Sequence, residues 1–164
     1  MTHWRPMRAA DLPGMVALAA IVHPGLPERI EVLAERLDLY PVGCQILPDS
    51  DDIVVGYLLS HPWHASAPPP LDSFLVSLPA APGTYYIHDL AIHPSRHGQG
   101  AAGAILRPLL AAPICRHGAE LVAVNRSTPF WHHYGFRPVA SPGMAEKLSG
   151  YGPEAAFMRR PAPP

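Results

Sequence analysis

Cysteine is scarce in this sequence, and the two cysteines present are far apart. Cys44 and Cys115 form no C-x-x-C pair and are too few for a disulfide framework. This excludes a small scaffold held together by disulfides and is compatible with a reducing cytosol. Neither thiol lies in a catalytic motif, so we expect both to have ordinary packing roles.

The sequence also lacks an excess of charge and a long apolar run. Its 12 basic and 13 acidic residues give a net charge of -1, so no broad field favours a nucleic acid or an anionic membrane as partner. No run approaches the roughly 18 apolar residues that span a membrane. The first residues, MTHWRPMRAADL, lack the apolar core of a signal peptide. We therefore expect a cytoplasmic protein that binds neither nucleic acid nor membrane.

What the sequence does contain is enough apolar residues for one compact domain. Of its 164 residues, 48% are hydrophobic and 15% are charged, which suits a single core at this length. The 22 prolines are densest at 61–82 and at the C-terminus, and the periodic segments are mostly free of them. We expect one domain over 1–160, a long ordered loop over 61–83 and a disordered tail over 161–164.

Hydrophobic periodicity predicts helices alternating with short strands. In chain order, the predicted elements are a strand over 4–8, helices over 11–21 and 30–37, strands over 43–47, 53–59 and 84–92, a helix from about 100, a strand over 120–125, a helix over 127–134, and strands over 135–139 and 155–159. Strand, turn, helix and strand over 84–125 form a βαβ unit. Its strands 84–92 and 120–125 should therefore be parallel.

A glycine-rich turn follows the first strand of this unit. The segment 93–106, HPSRHGQGAAGAIL, contains a literal G-x-G-x-x-G from Gly98 to Gly103. A dinucleotide-binding fold places its first glycine directly after the first strand of a domain and an acidic residue at the end of the next strand. Here five residues separate Ile92 from Gly98, and the next strand ends in Asn125. An NAD(P)-dependent oxidoreductase is therefore disfavoured.

The turn still has the chemistry of a phosphate site, because glycines at the start of a helix aim several unpaired N–H groups and the positive dipole end at one spot. The stretch HGQGAA over 97–102, preceded by AIHP over 91–94, resembles motif A of the GNAT superfamily of N-acetyltransferases, Q/R-x-x-G-x-G/A. His97 stands where that family has Gln or Arg, and the neighbouring Arg96 is available as the cation. The alternative is a helix start without a ligand, although Gly98 and Gly100 destabilise a helix more than a plain cap requires.

A second signature lies further along the chain. The segment 125–136, NRSTPFWHHYGF, resembles motif B of the same family, in which a strand ends in Asn, a short helix carries aromatic residues and Gly-Phe closes it. The two motifs have the family's order and spacing, and the resemblance covers about residues 3–160. It implies an α/β (α+β) fold with a mixed central sheet of about six to seven strands flanked by helices. The strands 84–92 and 120–125 would splay apart.

The resemblance also implies acetyl-CoA as cosubstrate, bound where these strands separate. The pyrophosphate would lie on the glycine turn and the pantetheine along the first strand, where an N–H near Leu90 would polarise the acetyl carbonyl. Asn125 would bond either to the pantetheine or to loop backbone. The implied cofactor-binding residues are Leu90, Ala91, Ile92, His97, Gly98, Gln99, Gly100, Ala101, Ala102, Asn125 and Trp131.

The implied reaction is direct attack of an amine on acetyl-CoA, which needs a proton acceptor. His88 and Asp89 are the candidates, and because side chains alternate along a strand, we expect at most one of them to face the acceptor. Many relatives protonate the leaving thiolate with a Tyr four residues before the Gly of Gly-Phe. Trp131 occupies that position here, and an indole cannot release its proton at neutral pH. Tyr134 or an ordered water is the substitute.

The acceptor itself is not identified by any motif. His61 and His64 lead from the predicted hairpin into the proline-rich loop and are candidates for acceptor contacts, and no third ligand at a recognisable spacing supports a metal there. A non-catalytic acyl-CoA-binding or regulatory module of the same fold stays open, because the usual proton donor is missing at Trp131. The resemblance also allows a homodimer, since dimers are common in this family.

Overall fold

A seven-stranded sheet carries the fold of the computed structural model, which describes residues 2–164. The strands are β1 (Arg5–Pro6), β2 (Cys44–Pro48), β3 (Val54–Trp63), β4 (Thr84–Ile92), β5 (Ala119–Ala123), β6 (Arg137–Pro138) and β7 (Ala156–Arg160). The helices are α1 (Leu12–Val22), α2 (Ile30–Leu39), α3 (Ala101–Ala111), α4 (Thr128–His133) and α5 (Met144–Lys147). In space the strands run β1-β2-β3-β4-β5-β7-β6. The predicted mixed sheet of six to seven strands is confirmed.

Helices cover both faces of this sheet, because side chains alternate along the central strands. Tyr57 and Leu59 of β3 pack in one apolar core with α1 and α2. The intervening Leu58 packs in a second core with Leu106 of α3 and Trp131 of α4. The strand pattern thus assigns the first two helices to one side of the sheet and the next two to the other.

The strands β4 and β5 are parallel, as the βαβ unit predicts, and they separate soon after they meet. Residues 85–87 pair with residues 119–121. Within residues 2–164, the rest of β4 has no partner on β5, although β5 continues to Ala123. The predicted splay is therefore confirmed, and it leaves one edge of β4 without a neighbouring strand.

Opposite β3, the strand β4 carries one extra residue. Leu59 pairs with Asp89 and Ser60 pairs with Ile87, so His88 is the unpaired residue of a β-bulge. The bulge shifts the alternation by one residue, which puts Asp89 on the same face as His88. Our expectation that these two neighbours face opposite sides was wrong, because strict alternation does not hold across a bulge.

The strand β3 is longer than predicted and includes Ser-His-Pro-Trp at 60–63. Pro62 is tolerated there because β2 pairs with β3 only as far as Leu59, so the missing N–H interrupts no ladder. His61 is a buried strand residue whose ring packs 5.6 Å from that of Tyr86, centroid to centroid. The predicted role of His61 as a loop residue was therefore wrong.

Loop 64–83 has neither helix nor strand, as its prolines predict. It is nevertheless fixed in place, since Glu35 of α2 accepts the backbone N–H groups of Leu75 (2.6 Å) and Val76 (2.9 Å). Residues 161–164 also form no helix or strand. Among residues 2–164, no helix combines the length and the apolar character needed to cross a bilayer.

Candidate functional site

A cavity of about 760 Å³ opens where β4 and β5 separate. It is bordered by the end of α1, by β4, by the glycine turn with the start of α3, and by β5 and α4. Every residue predicted to be catalytic or cofactor-binding, except Gln99, borders this cavity, whereas the acceptor candidates His61 and His64 do not. The side chain of Gln99 turns away and donates to the Ser95 carbonyl (3.3 Å). A volume of this size holds one ligand of small-molecule dimensions.

The glycine turn forms one end of the cavity. Gly98 (φ 75°) and Gly100 (φ 81°) both adopt left-handed backbone conformations, which glycine allows without steric cost. The first backbone hydrogen bond of α3 runs from the Ala104 N–H to the Gly100 carbonyl (3.1 Å). Within the described chain, the N–H groups of residues 98–103 have no hydrogen-bond acceptor. Together with the N-terminal end of an 11-residue helix, these donors have the chemistry needed to hold an anion.

The two residues before the turn contribute differently. His97 is exposed, and its Nε2 bonds to the Ile92 carbonyl (2.9 Å), so the ring ties the turn back to β4. Arg96 borders the cavity with only a long contact to Asp49 (4.0 Å). Arg96 is therefore the arginine available at this end of the cavity, whereas the His97 ring fixes the turn to the backbone of Ile92.

The free edge of β4 forms the middle of the cavity. The Tyr85 N–H donates to Gly118 on the β5 side (3.2 Å), and the His93 N–H donates to Val55 on the β3 side (2.8 Å). Along a strand, the backbone N–H and C=O groups of successive residues point alternately to the two neighbouring strands, and the bulge adds one residue to this count. Counting from Tyr85 and from His93, the backbone groups of Leu90 and Ile92 therefore point towards β5. Because the β5 ladder has ended there, the Leu90 N–H faces the cavity.

Asp89 lies on the wall opposite α3, with both carboxylate oxygens in use. Its Oδ1 is 2.9 Å from Nε2 of His23, and its Oδ2 accepts from the Tyr57 hydroxyl at 2.5 Å. Burial opposes ionisation, but the His23 ring and the two hydrogen bonds outweigh burial and lower the pKa of Asp89 below 3.8. Burial and the Asp89 charge raise the pKa of Tyr57 well above 10. Asp89 is therefore a fixed carboxylate.

Asn125 links the end of β5 to the same group of side chains. Its Nδ2 is 2.7 Å from Nδ1 of His23 and 3.3 Å from the Val22 carbonyl. When Asn125 donates to Nδ1, the neutral His23 ring carries its proton on Nε2 and donates it to Asp89. Of the two options left open by the sequence, loop backbone or ligand, the side chain contacts backbone at the end of α1.

His88 forms a second pair with a carboxylate. Its Nε2 lies 2.9 and 3.2 Å from the two oxygens of Glu28, in the segment between α1 and α2. Burial favours the neutral form of Glu28, but the charge and hydrogen bond of His88 outweigh burial and lower the pKa of Glu28 below 4.5. Nδ1 of His88 is buried and has no hydrogen-bond partner in residues 2–164. The ring thus holds one nitrogen on a carboxylate and leaves the other free.

The two aromatic residues of the motif B segment differ in their surroundings. Trp131 is 6% exposed and packs edge-on against Phe136, 5.5 Å between ring centroids. Tyr134 is half-buried beneath the Arg107 guanidinium, 5.7 Å from the ring centroid, and its hydroxyl points towards Gly103. Both border the cavity, but only Tyr134 brings a group that can release a proton.

Three residues of this site were not predicted from the sequence: His23, Glu28 and Tyr57. Each is far from its partner in the chain, with separations of 66, 60 and 32 residues. No local motif marks them. The sequence offers one signal near these residues, His-Pro-Gly at 23–25. This pattern indicates a loop after the first helix and does not indicate a functional role for His23.

The sequence matches one family model, and the structure matches solved structures of the same fold. The profile described as "Acetyltransferase (GNAT) family" matches residues 18–136, and no curated protein matches the sequence. The GNAT-like decarboxylase GphF in complex with isobutyryl-CoA is 18% identical over 97% of this chain and 98% of its own, with a TM-score of 0.70. The loading GNATL domain of CurA from Lyngbya majuscula is 15% identical over 98% of both chains, with a TM-score of 0.77.

A third structure of the same fold is the NatB acetyltransferase complex bound to CoA and MES. It is 13% identical over 99% of this chain and 100% of its own, with a TM-score of 0.67. At these identities the structural matches establish a shared fold, and the chemistry has to be argued from the residues of this chain.

Proposed function

Because the chain belongs to the acetyltransferase (GNAT) family, we propose that it transfers the acetyl group of acetyl-CoA to an amine by direct attack in a ternary complex. One observation carries this proposal. A single cavity runs from the unpaired N–H groups of residues 98–103 along the free edge of β4 to the His88–Glu28 pair. An anion site, a groove for an extended arm and a proton acceptor are what this reaction requires.

The glycine turn is the site proposed for the CoA pyrophosphate. The N–H groups of residues 98–103 would donate to phosphate oxygens, and the dipole of α3 would add a favourable field. Arg96 would add a full positive charge at the same end. These residues supply binding energy at a distance from the reacting atoms, which holds the acyl group in position.

The free edge of β4 is the site proposed for the pantetheine arm and the acetyl carbonyl. Leu90 would donate its N–H to the carbonyl oxygen as negative charge develops there. This donor is fixed in the strand before the reaction begins, so it needs no reorganisation. The carbonyl group of Leu90 would in turn accept from an amide of the arm.

We assign the proton acceptor to His88. In the tautomer that donates from Nε2 to Glu28, Nδ1 carries a lone pair with no hydrogen-bond partner, whereas both oxygens of Asp89 are already in hydrogen bonds. Nδ1 has almost no accessible surface in this structure, so small side-chain shifts must expose it when the acceptor binds. It then takes a proton from the acceptor ammonium, and the free amine forms the N–C bond while the C–S bond breaks. Glu28 stabilises the resulting imidazolium. Asp89 is a positioning residue that holds His23 and Tyr57.

The leaving thiolate also needs a proton. Tyr134 borders the cavity, and within residues 2–164 its hydroxyl donates no hydrogen bond to another protein group. We therefore assign Tyr134 as the donor, in place of the position that Trp131 occupies. The attacking nitrogen loses its second proton as the amide forms, and that proton restores the Tyr134 hydroxyl. Trp131 would line the arm as an apolar wall.

Thiol release from acetyl-CoA in the presence of a panel of primary amines tests the proposal. Amine-dependent release of CoA with formation of the acetylated amine is the expected result. A non-catalytic module would instead show CoA-dependent thermal stabilisation without turnover. Isobutyryl-CoA serves as a second acyl donor in the same assay, because the similar GphF structure contains it.

A further inference from the structure

We infer that the acceptor is a small amine with an apolar body and no acidic group. This inference rests on the proposed function, because it concerns the amine end of the same cavity. We call that end the acceptor chamber, and its walls are Leu26, Glu28, Leu33, Leu71, His88 and Tyr151.

The position of the chamber follows from the direction of β4. His88 precedes Ile92 in that strand, and four residues of extended chain span about 13 Å. The chamber therefore lies beyond the free strand edge, at the end of the cavity opposite the glycine turn. An acyl arm that lies along β4 with its phosphates on the turn points its thioester into this chamber.

The charges in the chamber favour a cation and disfavour an acid. Two carboxylates, Glu28 and Asp89, border this part of the cavity, and both have a lowered pKa because of their histidine partners. Among the described residues that line the cavity, the only arginine is Arg96, at the phosphate end. The buried guanidinium of Arg36 does not border the cavity and donates to the Ser73 carbonyl (2.6 Å). An acceptor carboxylate would thus meet like charges and no free cation.

Apart from His88 and Glu28, the side chains that form the chamber wall are mainly apolar. The residues Leu26, Leu33 and Leu71 border it, and so does Tyr151, whose hydroxyl donates to the Pro69 carbonyl (2.7 Å). A polar acceptor body would lose hydrogen bonds to water here and find few replacements. An aliphatic or aromatic body would gain by burial.

The chamber is covered, which separates small acceptors from polypeptides. Loop 64–83 lies over it, and Asp72 binds Arg29 through the guanidinium Nε (3.0 and 3.2 Å) and through the backbone N–H (2.8 Å). On the other side, Lys147 donates to the Ser66 carbonyl (3.1 Å). Under this cover the side chain of His88 is 1% exposed and that of Glu28 is 11% exposed. A peptide chain reaching His88 would have to displace the loop.

Four acceptors with the same phenyl group test these features, namely phenethylamine, phenylalaninamide, phenylalanine and a tetrapeptide that begins with Phe. We expect kcat/KM to fall about tenfold or more from phenethylamine to phenylalanine, with phenylalaninamide between them and no measurable turnover of the peptide. Pentylamine should also exceed 5-amino-1-pentanol. Phenylalanine or the peptide reacting as well as phenethylamine would overturn the inference.

A substitution that fills the chamber gives an independent test. Leu71→Trp should weaken phenethylamine binding to the CoA-loaded protein by about tenfold or more, with CoA affinity unchanged. Val76→Trp, on the exposed surface of the same loop, is the matched control. Calorimetric binding separates the two proposals. Selective amine binding without acetylation contradicts the proposed function alone, whereas acetylation that favours amino acids or peptides contradicts the acceptor inference alone.

Discussion

Nδ1 of His23 lies 2.7 Å from Nδ2 of Asn125, across 102 residues of sequence. The other nitrogen of the same ring contacts Asp89 at 2.9 Å. Asp89 belongs to β4 and Asn125 follows β5, so this chain of contacts connects the two strands where their backbone ladder has stopped. We conclude that side chains hold the splayed strands at a fixed separation, which the cavity between them requires.

Replacing His23 should therefore destabilise the fold, and most strongly in mild acid. Burial lowers the pKa of His23, but the Asp89 charge outweighs burial and raises that pKa above 6.5. The charged His23 ring therefore stabilises the fold fully below pH 6.5, and this stabilisation is lost as the pH rises through the pKa of the folded protein. The Asp89 contribution is present above pH 3.8, because its pKa is lowered in the fold. His23→Gln should cost about 1–3 kcal/mol near pH 5.5 and less near pH 8.5.

Urea unfolding of both proteins at the two pH values measures this difference. His132→Gln, on the exposed surface of α4, is the matched control and should change the free energy of unfolding little at either pH. An equal loss of unfolding free energy for His23→Gln at both pH values would show that the His23–Asp89 ion pair does not stabilise the fold. The conclusion that these side chains hold the two strands apart would then be wrong.

Gly100→Glu should abolish CoA binding. At φ 81° the new residue is strained, and its Cβ meets no atom within 4 Å, so the carboxylate extends into the space proposed for the pyrophosphate. The variant Gly143→Glu separates the effect of backbone strain from the effect of a charge at the binding site. Gly143 has φ 77° and equally open surroundings, but it lies away from the cavity. Both variants should lose about 1 kcal/mol of stability. By calorimetry, only Gly100→Glu should lose CoA affinity, and retained affinity there would place the phosphates elsewhere.

The parts of this site that the sequence predicted are those built from contiguous residues. The glycine turn, Leu90 with Ile92, and Asn125 each lie in a short segment whose strand-turn-helix pattern fixes its conformation. The parallel pairing of β4 and β5 followed from the same pattern, since a helix between two strands of one sheet leaves few alternatives.

The polar side chains that contact Asp89 and His88 could not be predicted in this way. His23, Glu28 and Tyr57 reach β4 only through tertiary packing, and their own segments have ordinary loop or strand patterns. The bulge at His88 is a property of pairing with β3, which is not encoded in the alternation of β4 itself. One extra residue was enough to reverse the expected orientation of Asp89.

Removing the proton acceptor should reduce turnover without affecting CoA. His88→Asn eliminates the free Nδ1 lone pair, and Glu28→Gln keeps the size of the side chain while removing the charge that stabilises an imidazolium. We expect kcat to fall about a hundredfold or more for His88→Asn and less for Glu28→Gln, with the Kd for acetyl-CoA unchanged. Glu31→Gln, on the exposed face of α2, is the control. Wild-type kcat in His88→Asn would reassign the base.

The hydroxyl of Tyr134 should matter only after attack on the thioester. Tyr134→Phe keeps the ring that packs 5.2 Å from Phe130 and lies beneath Arg107, so stability and CoA affinity should stay close to the wild-type values. Single-turnover release of the thiol should slow about tenfold or more, because the thiolate loses its donor. Trp131→Phe is the comparison, since it removes an N–H that delivers no proton. That variant should lose stability through its contact with Phe136 while releasing thiol at the wild-type rate. Wild-type release in Tyr134→Phe would mean that water protonates the thiolate.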